Sequence, residues 1–103
     1  MDTIYLLKDP VGYYKIGFTK NLLTNRVKQL QTGCSGNFEI IYQFQTNHKR
    51  KLETSLHNLF KHKHVNREFY DLDLEDEKIF KQLCGSLEIA FNSIKNDLYY
   101  YKL

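Results

Sequence analysis

The chain has 103 residues, of which 42% are hydrophobic, and it carries 15 Lys and Arg against 12 Asp and Glu. This length predicts a single domain over residues 1–103 and excludes a multidomain enzyme. No apolar run approaches the roughly 20 residues of a membrane span, and the first residues lack the order of a signal peptide, so we expect an intracellular protein with no membrane partner.

The positive charge is concentrated in the first two thirds of the chain. Residues 1–70 carry 11 Lys and Arg but 5 Asp and Glu, whereas residues 71–103 carry 4 and 7. Residues 48–67 also contain all four histidines. A polyanion is the natural partner of such a patch, although a solvated helix face is the alternative interpretation. The basic residues expected to bind it are Lys49, Arg50, Lys51, Lys61, Lys63 and Arg67.

The first 19 residues predict a β-hairpin. Residues 3–8 and 13–19 are rich in β-branched and aromatic residues, and Pro10 and Gly12 between them are typical of a turn. Alternation places one set of side chains in the core: Ile4, Leu6, Tyr14, Ile16 and Phe18. The opposite face then presents Tyr5, Lys15 and Gly17.

A helix and a third strand are predicted next. Asn21 is the expected N-cap of a helix that continues to about residue 31 and ends at Gly33. Arg26 lies at the rim of its buried face, which contains Leu23, Val27 and Leu30. Residues 38–45 alternate apolar and polar, which predicts a strand with Phe38, Ile40, Tyr42 and Phe44 on one face.

Two more helices complete the predicted elements. Residues 48–63 form a helix with Leu52, Leu56, Leu59 and Phe60 directed inward, and with Glu53 and His57 on one flank. Residues 68–72 predict a short edge strand. Asp73 then caps a long helix to about residue 97, which carries the clearest amphipathic stripe in the chain. Its members are Ile79, Phe80, Leu83, Cys84, Leu87, Ala90, Phe91 and Ile94.

The ordered set Ile4-Tyr5, Lys15-Ile16-Gly17, Arg26 and Glu53 resembles the GIY-YIG nuclease superfamily. More narrowly, the chain is similar to a small branch from phages and large DNA viruses in which KIG replaces YIG. The residues that carry this likeness are Tyr14 through Thr19, Asn21, Arg26, Leu30, Leu52-Glu53, Leu56-His57, Phe60 and Glu68-Phe69. The resemblance covers about residues 3–72, leaving residues 73–103 as a C-terminal helix and tail.

The resemblance implies an α+β fold, with a three-stranded antiparallel sheet flanked by helices, and cleavage of DNA by a Mg²⁺-dependent endonuclease. Mn²⁺ is expected to substitute for Mg²⁺. Carried over by position, Tyr5 is the first-motif tyrosine, Gly17 the second-motif glycine, Arg26 the helix arginine and Glu53 the metal ligand. Lys15 takes the place of the second tyrosine. Asn66 matches the asparagine expected beyond the glutamate.

These residue types suit phosphodiester hydrolysis. One carboxylate can anchor Mg²⁺, which keeps several waters, and Arg26 can donate two hydrogen bonds to phosphate oxygens. An ordinary tyrosine has a pKa of about 10, so neighbouring cations must favour the phenolate if Tyr5 is the base. A neutral Lys15 is the alternative base. His57 would ligate or orient a phosphate oxygen, and Gly17 would let the DNA backbone approach the sheet.

Other interpretations remain open. The domain could bind DNA or RNA without cleaving it, or it could be a viral interaction or inhibitor domain that uses the tyrosines at positions 99–101. A metal site formed by His62 and His64 with His48 or Cys34 lacks the usual zinc spacing. As a nuclease without a separate reader domain, the protein should show low sequence specificity. A monomer would nick, and a homodimer would be needed for a concerted double-strand break.

Overall fold

The computed structural model describes residues 2–31 and 36–94, which form an α+β fold, so the predicted fold class is confirmed. The strands are β1 (Asp2–Lys8), β2 (Tyr14–Thr19), β3 (Glu39–Thr46), β4 (His64–Asn66) and β5 (Phe69–Tyr70). The helices are α1 (Leu23–Gln31), α2 (Lys49–Leu59) and α3 (Leu74–Ser93), and a 3-10 turn (Lys61–Lys63) follows α2. Predictions that concern Gly33, Cys34 and the tyrosines at 99–101 lie outside the described residues.

The strands form one antiparallel sheet in the order β3-β1-β2-β5-β4. It contains the three predicted long strands and two short ones. The strand predicted at residues 68–72 is β5, which is not at the edge, because the chain turns back at Arg67 with φ 47° and places β4 outside it. Strands of two and three residues are too short to show alternation, so their pairing is not visible in the sequence.

The hairpin between β1 and β2 is confirmed, and the side chain of Asp9 stabilises its turn. The Asp9 carboxylate accepts hydrogen bonds from the backbone N–H groups of Val11, Gly12 and Tyr13 at 3.0, 2.8 and 2.8 Å. Gly12 has φ +114°, a conformation that residues with a side chain rarely adopt. The turn therefore depends on an Asp side chain and a Gly backbone as well as on Pro10.

Asn21 is not the N-cap of α1. The helix begins at Leu23, and the carbonyl oxygen of Leu22 accepts from the N–H groups of Asn25 and Arg26. The N–H of Asn21 instead donates to the Thr19 hydroxyl at 3.1 Å, which ties this residue to the end of β2.

Both faces of the sheet are covered. The larger core lies between one face and α2 and α3: it contains Ile4, Leu6, Tyr14, Ile16, Leu52, Leu56, Phe60, Tyr70, Leu72, Phe80, Cys84 and Phe91. The smaller core lies on the other face, under α1, and contains Tyr5, Leu7, Leu23 and Val27. The face expected to present Tyr5 and Lys15 is therefore covered, and these residues are only 1% and 7% exposed.

A β-bulge divides the predicted apolar face of β3. Leu6 pairs with Tyr42, but the next residue, Leu7, pairs with Ile40, so Ile41 is an extra residue in β3. Ile40 therefore shares the face of Leu7, whereas Tyr42 shares the face of Leu6. The expectation that all four apolar residues of this strand face one side was wrong for this reason.

The two long helices follow the prediction more closely. Helix α2 ends at Leu59, which is 49% exposed rather than buried, and the predicted last turn is the 3-10 turn. Asp73 caps α3 as predicted, in a reciprocal capping box with Asp76. Cys84 of α3 is fully buried, and burial raises the pKa of its thiol to about 12.

Candidate active site

The β1–β2 register brings Tyr5, Gly17 and Arg26 together. Tyr5 pairs with Gly17, and a Cβ atom at Gly17 would lie 2.5 Å from the Tyr5 hydroxyl oxygen and 2.6 Å from its Cζ. Gly17 therefore makes room for the Tyr5 phenol, a role that the sequence did not indicate. From α1, the Arg26 Nε donates to the Tyr5 hydroxyl at 3.4 Å. A phenol and a guanidinium thus meet on the α1 face of the sheet.

Lys15 lies on the same face, two residue pairs along the hairpin, opposite Leu7. Its ammonium forms a salt bridge with Glu68 and lies 5.5 Å from the centroid of the Phe69 ring. The Lys15 side chain is 9% exposed and that of Glu68 is 47% exposed. Glu68 therefore covers the Lys15 ammonium, although sequence reasoning gave this glutamate no role.

Glu53 and His57 lie on α2, which packs through Leu52 and Leu56 against the opposite face of the sheet. A Glu53 carboxylate oxygen is 3.7 Å from the His57 Nε2. The other ring nitrogen, Nδ1, shares a hydrogen bond with the Tyr70 hydroxyl. The predicted pair is thus held in one cluster, with a tyrosine that the sequence did not single out.

Tyr70 of β5 contacts this cluster through His57 and is also close enough to Glu68 to be affected by its charge. Burial raises the pKa of Tyr70, and the negative charges of Glu68 and Glu53 raise it further. Both carboxylates therefore disfavour ionisation of the same phenol. The structure brings Tyr5, Lys15, Gly17 and Arg26 to one face of the sheet, and it places Glu53 and His57 on α2, which packs against the opposite face.

The predicted nucleic-acid contacts fall into two groups. Lys49 and Lys63 take part in internal contacts: Lys49 lies 3.7 Å from an Asp2 carboxylate oxygen, and Lys63 lies 2.6 Å from one of Asp76. This hydrogen bond to Asp76 raises the pKa of Lys63. Lys51 is half-buried. The exposed members are Arg50, Lys61 and Arg67, together with Asn66 on the edge strand β4.

Within the described parts of the chain, no three His, Cys, Asp or Glu side chains are gathered as a metal-binding cluster. The Glu53 side chain is 21% exposed, so its carboxylate reaches solvent. Mg²⁺ prefers oxygen ligands and keeps several waters, so a single accessible carboxylate is chemically suited to hold it.

The family model of the T5orf172 domain matches residues 2–84. This chain belongs to the T5orf172 domain family. The assignment to the GIY-YIG superfamily is corrected by this match, because the T5orf172 domain is a distinct family. Short elements such as Ile4-Tyr5 and Lys15-Ile16-Gly17 contain too few residues to separate families that place similar side chains on similar elements. T5orf172 domains are nuclease-like DNA-binding modules.

One curated relative of this T5orf172 domain is viral. It is "Uncharacterized protein 460R" of Invertebrate iridescent virus 6, 37% identical over 70 residues, which are 66% of this chain and 31% of the relative. The chain thus spans about a third of the length of the relative that it matches. No solved structure matches the chain significantly. Among the described residues, no helix has the length and apolar character required to cross a membrane.

Proposed function

We propose that this T5orf172 domain is a divalent-metal-dependent endonuclease that hydrolyses DNA phosphodiester bonds with low sequence specificity and nicks as a monomer. The observation that carries the proposal is the contact of the Arg26 guanidinium with the Tyr5 hydroxyl, on the face of the hairpin that also carries Gly17 and Lys15. A phosphate in this position would meet a proton acceptor and two cations.

Hydrolysis assigns a role to each of these side chains. Tyr5 accepts the proton of the attacking water, whose oxygen forms the new bond to phosphorus while the bond to the leaving oxygen breaks. Arg26 turns from Tyr5 toward the phosphate, which also opens the buried hydroxyl to water, and donates hydrogen bonds to the phosphate oxygens. Lys15 supplies a second positive charge. His57 orients the Glu53 carboxylate through the contact between them.

Glu53 would hold the metal, Mg²⁺ or Mn²⁺. When bound, the ion supplies Lewis-acid stabilisation of the negative charge that develops at the phosphate and the leaving oxygen. Glu53 lies on α2, which packs against the face of the sheet opposite the Tyr5–Arg26 pair, so the proposed mechanism requires that the scissile strand contact both groups.

The test is conversion of supercoiled plasmid by the full chain, with Mg²⁺ and with EDTA. We expect open circles to appear before linear DNA, because one site cuts one strand. Tyr5→Phe should lower the rate by about 100-fold or more, the range for loss of a general base, and Glu53→Gln should abolish cleavage. Glu75→Gln, which neutralises an exposed carboxylate on α3, is the matched control and should cleave as the wild type does.

Cleavage that survives both Tyr5→Phe and Glu53→Gln, in protein that retains its circular dichroism spectrum, would contradict the proposed site. Cleavage that persists in EDTA would contradict the role of the metal.

A DNA-binding module without cleavage is the second candidate. It is favoured by the position of Glu53 on a helix that packs against the opposite face, and by the salt bridge that already engages Lys15. Salt-sensitive DNA binding that ignores Mg²⁺ and Glu53→Gln, in protein that never cleaves, would select it.

A further inference from the structure

The Lys15–Glu68 salt bridge joins a buried cation to a half-exposed anion. The Lys15 ammonium is enclosed by the Glu68 carboxylate and the face of the Phe69 ring, and almost all of its side chain is removed from water. A buried charge that loses its partner is strongly unfavourable, so the Lys15 ammonium needs an anion at the position that Glu68 occupies.

The main chain on both sides of this salt bridge is fixed. Lys15 pairs with Phe69 in the sheet, and the Ile16 N–H donates to the Glu68 carbonyl oxygen at 3.2 Å. The Glu68 side chain, by contrast, is 47% exposed. The carboxylate can therefore turn into solvent without breaking the backbone hydrogen bonds between β2 and the β5 region.

We propose that Glu68 is a positioning residue that holds the Lys15 ammonium on the face that also carries the Tyr5–Arg26 pair. Glu68 covers this ammonium until a DNA phosphate replaces the carboxylate, an inference that rests on the proposed function. Phosphate and carboxylate oxygens accept the same hydrogen bonds from an ammonium. Exchange of one for the other keeps Lys15 paired throughout. Glu68 therefore competes with DNA for the Lys15 ammonium. It also holds the ammonium in the position where it would contact a phosphate.

The salt bridge favours Tyr5 over Lys15 as the base. The salt bridge engages Lys15 in its ammonium form, which has three donors and no lone pair to accept a proton. Lys15 consequently contacts the phosphate as a cation, and Tyr5 accepts the proton from water. Lys15→Arg, which keeps the charge but cannot act as a base, should retain cleavage, whereas Lys15→Met should lose it.

The decisive experiment measures Glu68→Gln in two ways. Affinity for a fluorescent DNA duplex is measured without divalent metal, and the kcat of plasmid nicking is measured with Mg²⁺. We expect Glu68→Gln to bind DNA about two- to fivefold more tightly than the wild type, because the competing carboxylate is half-exposed and its attraction to Lys15 is screened by water. We also expect it to nick with a kcat about tenfold lower, because Lys15 loses its position. Opposite changes in affinity and kcat are not expected from a merely structural role.

Glu39→Gln is the matched control, since Glu39 is an exposed carboxylate that pairs with Lys8 on the opposite face of the sheet. It makes the same change in net charge. Equal gains in affinity for Glu39→Gln and Glu68→Gln would overturn the proposed competition. So would a Glu68→Gln gain that persists in a Lys15→Met background, where Glu68 has no ammonium to cover.

Two further outcomes are informative. If Glu68→Gln fails to fold, Glu68→Asp replaces it: the shorter side chain should show the same opposite changes, reduced in size, and an unchanged kcat would overturn the positioning role. If the wild type binds DNA but never nicks, the proposed function fails, while the comparison of affinities still decides whether Glu68 covers Lys15.

Discussion

Gly17 and Tyr5 share a space that only one side chain can fill. The phenol of Tyr5 lies where the side chain of residue 17 would point, and the ring is 1% exposed, so it has little freedom to move away. The geometry of the Tyr5–Arg26 contact therefore depends on the absence of a side chain on the neighbouring strand.

We predict that Gly17→Ala destabilises the protein by about 1–3 kcal/mol, the usual cost of overpacking, and lowers DNA cleavage more than DNA binding because Tyr5 is displaced. Urea unfolding followed by circular dichroism measures the first effect. Gly85→Ala is the control: a Cβ there meets nothing within 4 Å, and an alanine within α3 should raise stability by about 0.5–1 kcal/mol. Equal stability of the Gly17→Ala protein and the wild type would contradict the close packing of the Tyr5 phenol against Gly17.

At this scale the sequence predicts one part of the site and misses another. Strict alternation along β1 and β2 is enough to place Tyr5, Lys15 and Gly17 on one face, because the side-chain period of a strand is two. Glu68 and Tyr70 are missed, since they reach the site through a strand pairing of only two residue pairs. No periodicity in the sequence reports so short a contact.

The N-terminus of α3 is stabilised by charged side chains. Asp76 caps the Asp73 N–H at 3.0 Å and also accepts from the Lys63 ammonium at 2.6 Å. Burial alone would raise the pKa of Asp76, but its hydrogen bonds with Lys63 and the Asp73 backbone outweigh that effect and lower the pKa. The ionised carboxylate thus links the 3-10 turn to the long helix.

We predict that the stability supplied by Asp76 is present above the ordinary carboxyl pKa of about 4 and is lost as the pH falls through the lower pKa of the folded protein. Asp76→Asn should therefore be less stable than the wild type at neutral pH, and the difference should shrink in acid. Urea unfolding between about pH 2 and 7 tests this. Glu75→Gln, on the same turn of α3, should follow the wild type, and parallel curves for wild type and Asp76→Asn would contradict the prediction.

Helices are the elements best predicted from this sequence. The Asp73 cap and most of the stripe of α3 are found because both signals are local, a capping residue and a period of 3.6 residues after it. Ile79 and Ala90, also predicted in the stripe, are exposed. Asn21 shows the limit of such signals: its side-chain type is right for a cap, but the Thr19 hydroxyl already holds its N–H and the helix starts two residues later.

For the molecule as a whole, the uneven charge predicts a DNA-binding side, but the folded chain shows which charges are available for it. Arg50 and Lys61 are exposed. Lys63, in the same basic segment, pairs with Asp76 and lies 3.9 Å from an Asp73 carboxylate oxygen. A count of basic residues therefore overestimates the charges that face a phosphate backbone.

We predict that Arg50→Ala and Lys61→Ala each weaken DNA binding to a similar degree for all sequences, and that each lowers the slope of log affinity against log salt by about 1. Lys63→Ala should change this slope less and should instead reduce the stability of the α3 N-terminus. Fluorescence anisotropy at several salt concentrations provides the slopes. A Lys63→Ala slope that falls as far as the other two, in folded protein, would contradict the assignment.

Fold class and chemistry class are more accessible from this sequence than family membership. The α+β class follows from the order of local patterns, and the expectation of a nuclease comes from the resemblance carried by Ile4-Tyr5, Lys15-Ile16-Gly17, Arg26 and Glu53. Membership depends on the whole of residues 2–84, so these few positions are not enough to assign a family.

The extra residue at Ile41 also affects the tendency of the protein to aggregate. β3 is eight residues long and forms one border of the sheet, and no other strand of the described residues pairs with its outer side. A bulge bends such a border and interrupts its regular ladder, which makes it a poor template for edge-to-edge aggregation. The irregularity that breaks the predicted alternation thereby favours a monodisperse protein.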